Sequence, residues 1–340
     1  MGEIHDENPR STNKRRLRAK LIFNPGSGVA GQSPVQLMDV IRAMQAWKLV
    51  PEAYLVEPGC DLSAVVRNAI VDGMRLFVVC GGDGTIDVMA GALAGTNATL
   101  GIIPTGTQNN VALSLGIPTD IPAAIATLRT GRRIKVDMGL VECGDIKRSF
   151  LEVCSVGLLS SLFPAADDIQ HGNLARVGDF LATLVASPPA EMHLILDSCR
   201  GKAENRVSLD SVRETACPSE INTMCHVVLV SNMPYIGPHF QVGTPASMND
   251  GLLDVLLFAD LSKMDLLGYA VQVARAGGGQ EDERIQHYHV RRVDIDTHPV
   301  MPVMADGLAL GEGSLRISVQ RHSLAVMVGE PAPTVLPTRV

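Results

Sequence analysis

No stretch of the 340-residue chain approaches the roughly 18 to 20 continuous apolar residues of a membrane span, although hydrophobic residues make up 46% of it. A soluble protein is the expectation. Positive charge is also scarce: the net charge of −7 argues against a nucleic-acid partner that must be gripped through its phosphates. The seven cysteines are odd in number and show neither a C-x-x-C pair nor metal-ligand spacing. That excludes a disulfide framework and fits a reduced, cytoplasmic setting. Cys80 and Cys154 lie in apolar runs and read as small core residues. No G-x-S-x-G elbow, Walker A lysine or H-R-D loop is present, which removes support for serine hydrolases, P-loop enzymes and protein kinases. A Rossmann dehydrogenase would need G-x-G-x-x-G after the first strand, and residues 24–28 do not supply it. One basic run, Lys14-Arg15-Arg16-Leu17-Arg18-Ala19-Lys20, stands near the start with no apolar signal core after it. It suits either contact with anionic lipid or a solvated tail.

What the chain does have is Leu76-Phe77-Val78-Val79-Cys80-Gly81-Gly82-Asp83-Gly84-Thr85. The apolar run reads as a parallel strand buried on both faces, and it ends abruptly in three glycines and an acid. A helical pattern follows, with Thr85 expected as its N-cap. Backbone donors and the helix dipole then converge on one spot, which favours an anion. Asp83 beside a phosphate calls for a divalent cation or a hydroxyl proton between the two. A plain Gly-Asp-Gly turn is the structural alternative.

Two further glycine loops follow short strands. Asn24-Pro25-Gly26-Ser27-Gly28 succeeds a strand over 20–23, and Thr105-Gly106-Thr107-Gln108-Asn109-Asn110 succeeds one over 99–104. Helical patterns over 35–47, 62–72, 111–115 and 118–131 alternate with these strands, which predicts a parallel sheet with right-handed crossovers. Three such loops at successive strand ends point to one edge, where open α/β sheets bind ligands.

After residue 137 strands become frequent and helices rare. The expected plan is a tail over 1–17, an α/β domain over 18–137, a β-sandwich over 138–328 with a helical insertion at 174–186, and a loose tail over 329–340. Strands are expected at 149–154, 192–196, 225–230, 252–258, 287–294, 315–319 and 324–328. Two acidic turns stand out in the second domain. Ser247-Met248-Asn249-Asp250-Gly251-Leu252 offers oxygen ligands for a hard cation, and an ordinary Asn-Asp-Gly turn fits equally. The glycine-rich stretch 304–313 carries Asp306 and Glu312, either a carboxylate base for a hydroxyl or solvated acids of a hairpin. His287 and His289 share one strand face, but two ligands without a third read as a packed or surface pair.

Residues 24–28, Gly81-Gly82-Asp83-Gly84-Thr85 and Gly106-Thr107-Gln108-Asn109-Asn110-Val111-Ala112, in that order, resemble the catalytic domain of diacylglycerol kinase-like lipid kinases. That family includes bacterial diacylglycerol kinases and the sphingosine and ceramide kinases. Asp250-Gly251-Leu252-Leu253-Asp254 and Asp306-Gly307 resemble its C-terminal motifs, so the likeness spans nearly the whole chain. The Gly-Gly-Asp-Gly turn alone is shared with NAD kinases and 6-phosphofructokinases. The resemblance implies a doubly wound α/β nucleotide domain of that kind above a β-rich sandwich, with ATP between them and a lipid hydroxyl delivered to the same cleft. By similarity, Gly81, Gly82, Asp83, Gly84, Thr85, Gly106, Thr107 and Asn109 hold the nucleotide, and Asn24, Pro25, Gly26, Ser27 and Gly28 lie beside its phosphates. Ser247, Asp250 and Leu252 match a magnesium site, partly through backbone carbonyls, and a second Mg2+ arrives with ATP. Peripheral contact with the inner membrane face and a homodimer are further expectations.

One departure stands out. Where many relatives carry a glutamate base directly after the last Asp-Gly, this chain has Leu308, leaving Asp306 or Glu312 to receive the proton. A kinase of a soluble acceptor such as NAD, or a nucleotide- or lipid-binding regulator without activity, are the competing readings.

Overall fold

A computed structural model describes residues 15–28, 37–160, 182, 186–197, 200–201, 218–236, 240–241, 247–259, 261–266, 268–269 and 284–329. Strands and helices alternate at first: β1 (Leu17–Phe23), α1 (Leu37–Ala46), β2 (Leu49–Leu55), α2 (Leu62–Val71), β3 (Leu76–Gly81), α3 (Asp83–Leu93), β4 (Thr99–Pro104), α4 (Asn110–Ser114) and α5 (Ile121–Thr130). Strands then dominate: β5 (Arg132–Cys143), β6 (Ile146–Phe150), β7 (Val153–Gly157), β8 (Ala190–Asp197), β9 (Arg200–Gly201), β10 (Glu220–Ser231), β11 (Tyr235–Ile236) and β12 (Phe240–Gln241). The chain continues through β13 (Leu253–Ala259), β14 (Ile285–Val290), β15 (Arg292–His298), β16 (Pro302–Ala305), β17 (Leu308–Glu312) and β18 (Leu315–Val328). The helical insertion expected at 174–186 and the tails over 1–14 and 330–340 lie outside the described residues, apart from 182 and 186. Leu17 already opens β1, and Arg18 pairs with Glu52 on β2 at 2.6 Å, so the basic run is not a free arm past residue 16.

The first sheet runs β2-β1-β3-β4-β18, with every neighbouring pair parallel. All six residues of β3 and of β4 are buried, as their apolar runs require. Val40, Met44, Ile125 and Leu128 of α1 and α5 cover one face, against Leu21, Val78 and Ile103. Val66, Ile86 and Met89 of α2 and α3 cover the other, against Phe77, Val79 and Leu100. Each such side chain contributes roughly 1.5–3 kcal/mol on burial, which makes these strands a stiff support for the loops above them. The crossovers change face between β1 and β3. That topological switch opens a crevice at the carboxyl ends of these two strands.

Most of the remaining strands form an antiparallel sandwich, β17-β16-β7-β10-β8-β15-β18, with β13, β14 and β9 branching from β10 and β5 and β6 from β18, while β11 and β12 make a separate two-stranded sheet. Val156, Met192, Val230, Val255, Val293 and Ile317 fill its core. Two runs read from sequence as single strands are each broken, at residues 151–152 and at Arg291. The reverse holds at 315–328, where two expected strands are one. β18 pairs antiparallel with β15 in the sandwich and parallel with β4 in the first sheet, with a bulge between Gln320 and Leu324.

The bulge explains the misreading and joins the two units. His322 takes a left-handed φ of 51°, and its N–H donates to Asp137 Oδ1 at 2.6 Å. Asp137, 0% exposed on β5, accepts the Gly251 N–H on its other oxygen at 2.7 Å. The domain boundary expected near residue 138 therefore falls inside a strand that both units share. Asp137→Ala leaves two N–H groups without their acceptor, and a loss of roughly 2–5 kcal/mol in unfolding free energy is expected by denaturant titration. A change below about 0.5 kcal/mol, the level of an ordinary surface substitution, would show that the bulge does not rely on this carboxylate.

Candidate active site

The three glycine loops meet over the switch point. Asn24, at the end of β1, donates through Nδ2 to Thr85 Oγ1 at 2.9 Å, joining the first loop to the second. Its Oδ1 accepts the Gly26 N–H at 2.9 Å, which fixes the turn. Ser27 and Thr105 share a hydroxyl hydrogen bond of 2.8 Å, and Thr107 Oγ1 donates to the Gly28 carbonyl at 3.4 Å, joining the first loop to the third. The second and third loops touch through bare backbone: a Cβ at Gly106 would stand 2.5 Å from the Gly82 Cα. Only glycine fits there. The Asn109 carboxamide closes the third loop, accepting the Gly106 N–H and donating to the Gly106 carbonyl, both at 2.9 Å, while Asn109 holds φ at 56°. Below them, burial pushes the Cys80 thiol up to about 12, so Cys80 is a packing residue.

Thr85 is not the cap of α3. The N-cap is Gly82, with no side-chain hydrogen bond of its own, and Thr85 lies within the first turn. Asp83, at the start of α3, reaches across with its carboxylate to accept the N–H groups of Asn110 and Val111 at 3.1 and 3.2 Å. Asp83 thereby caps α4 and fixes the third loop against the second. The start of α3 keeps uncapped backbone donors facing the crevice, the arrangement that receives phosphate.

Beside this loop cluster lies a group of carboxyls at the junction of the two units. Asp87 follows Asp83 by one turn of α3, is 4% exposed, and receives Arg148 Nη2 of β6 at 2.5 Å. Asp306 occupies the turn between β16 and β17, where it and Gly307 both have positive φ, as a two-residue hairpin demands. Its carboxylate accepts the N–H groups of Leu151, Glu152 and Val153 at 2.6, 3.0 and 2.9 Å. Glu152, in the break between β6 and β7, sits near Asp306 and Asp83 with Asn110 donating to it. Burial raises Asp306 well above the usual carboxylate range, and neighbouring Asp87 adds to this. Burial likewise raises Glu152, helped by the charges of Asp306 and Asp83. Asp83 and Asp87 are also raised, chiefly by burial; amide N–H groups pull Asp83 back, and the hydrogen bond with Asp306 and then Arg148 pull Asp87 back.

The resulting chemistry is a crevice with phosphate-type donors on one wall and an excess of acids on the other. Asn110 Oδ1 is a buried acceptor with no hydrogen-bond donor, and Asp87 Oδ1 receives none from the surrounding amide and guanidinium groups, its carboxylate sharing a proton with Asp306 instead. Such oxygens beside several carboxyls fit a hard divalent cation of the magnesium type. The structure does not bring every expected residue here. Glu312 is exposed opposite Pro302, at the end of the β16–β17 hairpin away from the Asp306 turn. Ser247, Asp250 and Leu252 form a separate turn, in which Asp250 Oδ1 accepts the Leu252 N–H at 2.9 Å and Ser247 Oγ donates to Asn249 Oδ1 at 3.0 Å. This turn offers oxygen ligands but is tied to Asp137, and among the described residues it makes no hydrogen bond to the glycine loops.

Sequence reasoning missed Asp87, Arg148 and Glu152. The four-residue spacing from Asp83 to Asp87 was a readable signal, since it puts both acids on one helix face. An acid inside the apolar run 150–156 was the signal for Glu152.

Both units of the chain are similar to known proteins. Residues 18–141 match the model of the diacylglycerol kinase catalytic domain, and residues 202–328 match that of the YegS C-terminal NAD kinase beta sandwich-like domain. The chain is 26% identical over 321 residues to an uncharacterised protein of Synechocystis, covering 90% of this chain and 69% of that protein. It is 25% identical over 323 residues to the diacylglycerol kinase of Bacillus subtilis, covering 93% of this chain and 98% of that enzyme. A crystal structure of a diacylglycerol kinase from Bacillus anthracis shares the fold, with a TM-score of 0.66 at 18% identity over 95% of this chain and all of that one, 100%. From the two matched domains, the full-length relative and the converging loops, the chain belongs to the diacylglycerol kinase-like lipid kinases, phosphotransferases with an alcohol group as acceptor.

Proposed function

We infer that the chain transfers the γ-phosphoryl group of ATP to a hydroxyl of diacylglycerol or a related lipid at a membrane face, with Mg2+ as the accompanying cation. The observation that carries this reading is the meeting of three glycine loops at the switch point beside the acid cluster. The uncapped start of α3 and the second amide hydrogen of Asn24 supply hydrogen-bond donors for the phosphates. Asp87 and Asn110 offer oxygen donors suited to a magnesium ion, which would neutralise phosphate charge during transfer. The lipid oxygen bonds to the γ-phosphorus, the bond to the β,γ-bridging oxygen breaks, and ADP leaves.

The hydroxyl proton needs an acceptor, and Glu152 suits the role best. Asp306 already accepts three amide N–H groups, and Glu312 faces away. Leu308, the residue in the family's base position, is 49% exposed immediately after the Asp306 turn, where it suits an apolar acceptor. An apolar layer on the outer face of the sandwich, including Val227, Leu229, Leu256 and Phe258, reaches Val153, the neighbour of Glu152.

Incubation with γ-labelled ATP and vesicles containing diacylglycerol, or a total lipid extract, is expected to give labelled phospholipid. Label in a dinucleotide instead would transfer the reading to a soluble acceptor, and ATP binding without any transfer would favour a regulator. Glu152→Gln is expected to lower kcat on the order of 10²- to 10⁴-fold with little change in the KM for ATP, whereas Glu312→Gln leaves both unchanged. The base must be ionised, and its affinity for protons is raised, so kcat should climb with pH through a value above the ordinary carboxylate range. That acidic limb should vanish in Glu152→Gln; its persistence would assign the proton elsewhere. Gly106→Ala forces the second and third loops apart, and a loss on the order of 10- to 100-fold in kcat/KM for ATP is the expected result.

A further inference from the structure

His287 and His289 lack a third ligand in the sequence, and strand register supplies one. β13 and β14 run antiparallel with Asp254 opposite His289 and Leu256 opposite His287. His289 Nδ1 and His287 Nε2 each lie 2.8 Å from the same oxygen, Asp254 Oδ1. The imidazole rings are 4.6 Å apart and tilted by 52°. All three ligand atoms fall within 4.8 Å of one another. The side chains of Asp254 and His287 are 7% and 6% exposed, and that of His289 is 28% exposed, so solvent reaches the cluster past His289. Among the described residues, the two histidines are the only ion-pair partners of Asp254.

We propose that Asp254, His287 and His289 bind one divalent transition-metal ion, zinc by ligand chemistry, with water completing a four-coordinate shell. Two imidazoles and a carboxylate form a donor set of the kind zinc takes, whereas magnesium prefers the all-oxygen groups found elsewhere in the molecule. Zinc bonds of roughly 2.0–2.2 Å in a tetrahedron separate ligand atoms by about 3.3 Å, a value between the two observed 2.8 Å contacts and the 4.8 Å within which all three atoms lie. Each ring must present a lone pair at the nitrogen now facing Asp254. Its proton moves to the far ring nitrogen or, from a charged ring, leaves to solvent.

Val153, Ser231, Asp254 and His289 stand opposite one another on β7, β10, β13 and β14. Two strand spacings, roughly 10 Å, separate Val153 from Asp254 and three, roughly 14 Å, separate it from His289, too far to touch the reacting atoms beside Glu152. The ion therefore staples β13 to β14 directly after the turn over 247–252. This assignment is independent of the phosphotransfer reading.

The test uses the full chain, stripped by chelator and titrated with zinc alone, magnesium alone and cobalt(II) alone. Saturation at one zinc per chain, a higher melting temperature with zinc than with magnesium, and the visible absorption of four-coordinate cobalt are expected. His289→Ala and Asp254→Asn should each weaken zinc binding at least about tenfold. If either fails to fold by circular dichroism, His289→Gln, at the most exposed of the three positions, decides the matter. Absence of saturable binding, or unchanged affinity in a folded His289 variant, would mean that the cluster is only a hydrogen-bonded His-Asp-His group and would overturn the proposal.

Discussion

The close approach of Gly82 to Gly106 is the constraint on which the site depends. Two backbones pass with no side chain between them, which lets the second and third loops lie side by side. Asn24 reaches Thr85, Ser27 reaches Thr105 and Asp83 reaches the start of α4 within the same cluster of turns. The fully buried strands β3 and β4 hold the two glycines at equal height, with Gly81 in register opposite Pro104. The glycines therefore permit a shape that the strands impose.

The second unit completes the crevice. β18 belongs to both sheets, and Asp137 secures its bulge, so the sandwich is held to the nucleotide-type unit by shared backbone. Asp306 then draws the 151–153 corner under the hairpin turn and brings Glu152 beside α3. The electrostatic result is an excess of carboxyl groups opposed by Arg148 alone among the cationic partners described there. Such a site is costly without protons or a cation, which is also what makes it suited to a transfer reaction that moves both.

Much of this was legible in the sequence where the signal was local. The apolar runs at 76–81 and 99–104 specify buried strands, and each glycine loop announces itself by following one. Less local features were hidden. The polar stretch 320–323 reads as a gap between strands, because a bulge held by a carboxylate some 185 positions away leaves no mark nearby. Thr85 has the chemistry of a cap, but Gly82 is the N-cap and Thr85 falls within the first turn. Glu152 passes for a misplaced acid in a strand until the fold turns the chain there. Asp254 and His289 become partners only through strand register, which depends on pairings between distant segments.

The central claim is that a nucleotide occupies the crevice where the three loops meet. Amide hydrogen exchange with and without Mg-ATP measures this most directly. Slowed exchange confined chiefly to residues 24–28, 81–86 and 105–111 is the expected result. Unchanged exchange in those loops under saturating nucleotide, or protection concentrated elsewhere on the chain, would contradict it.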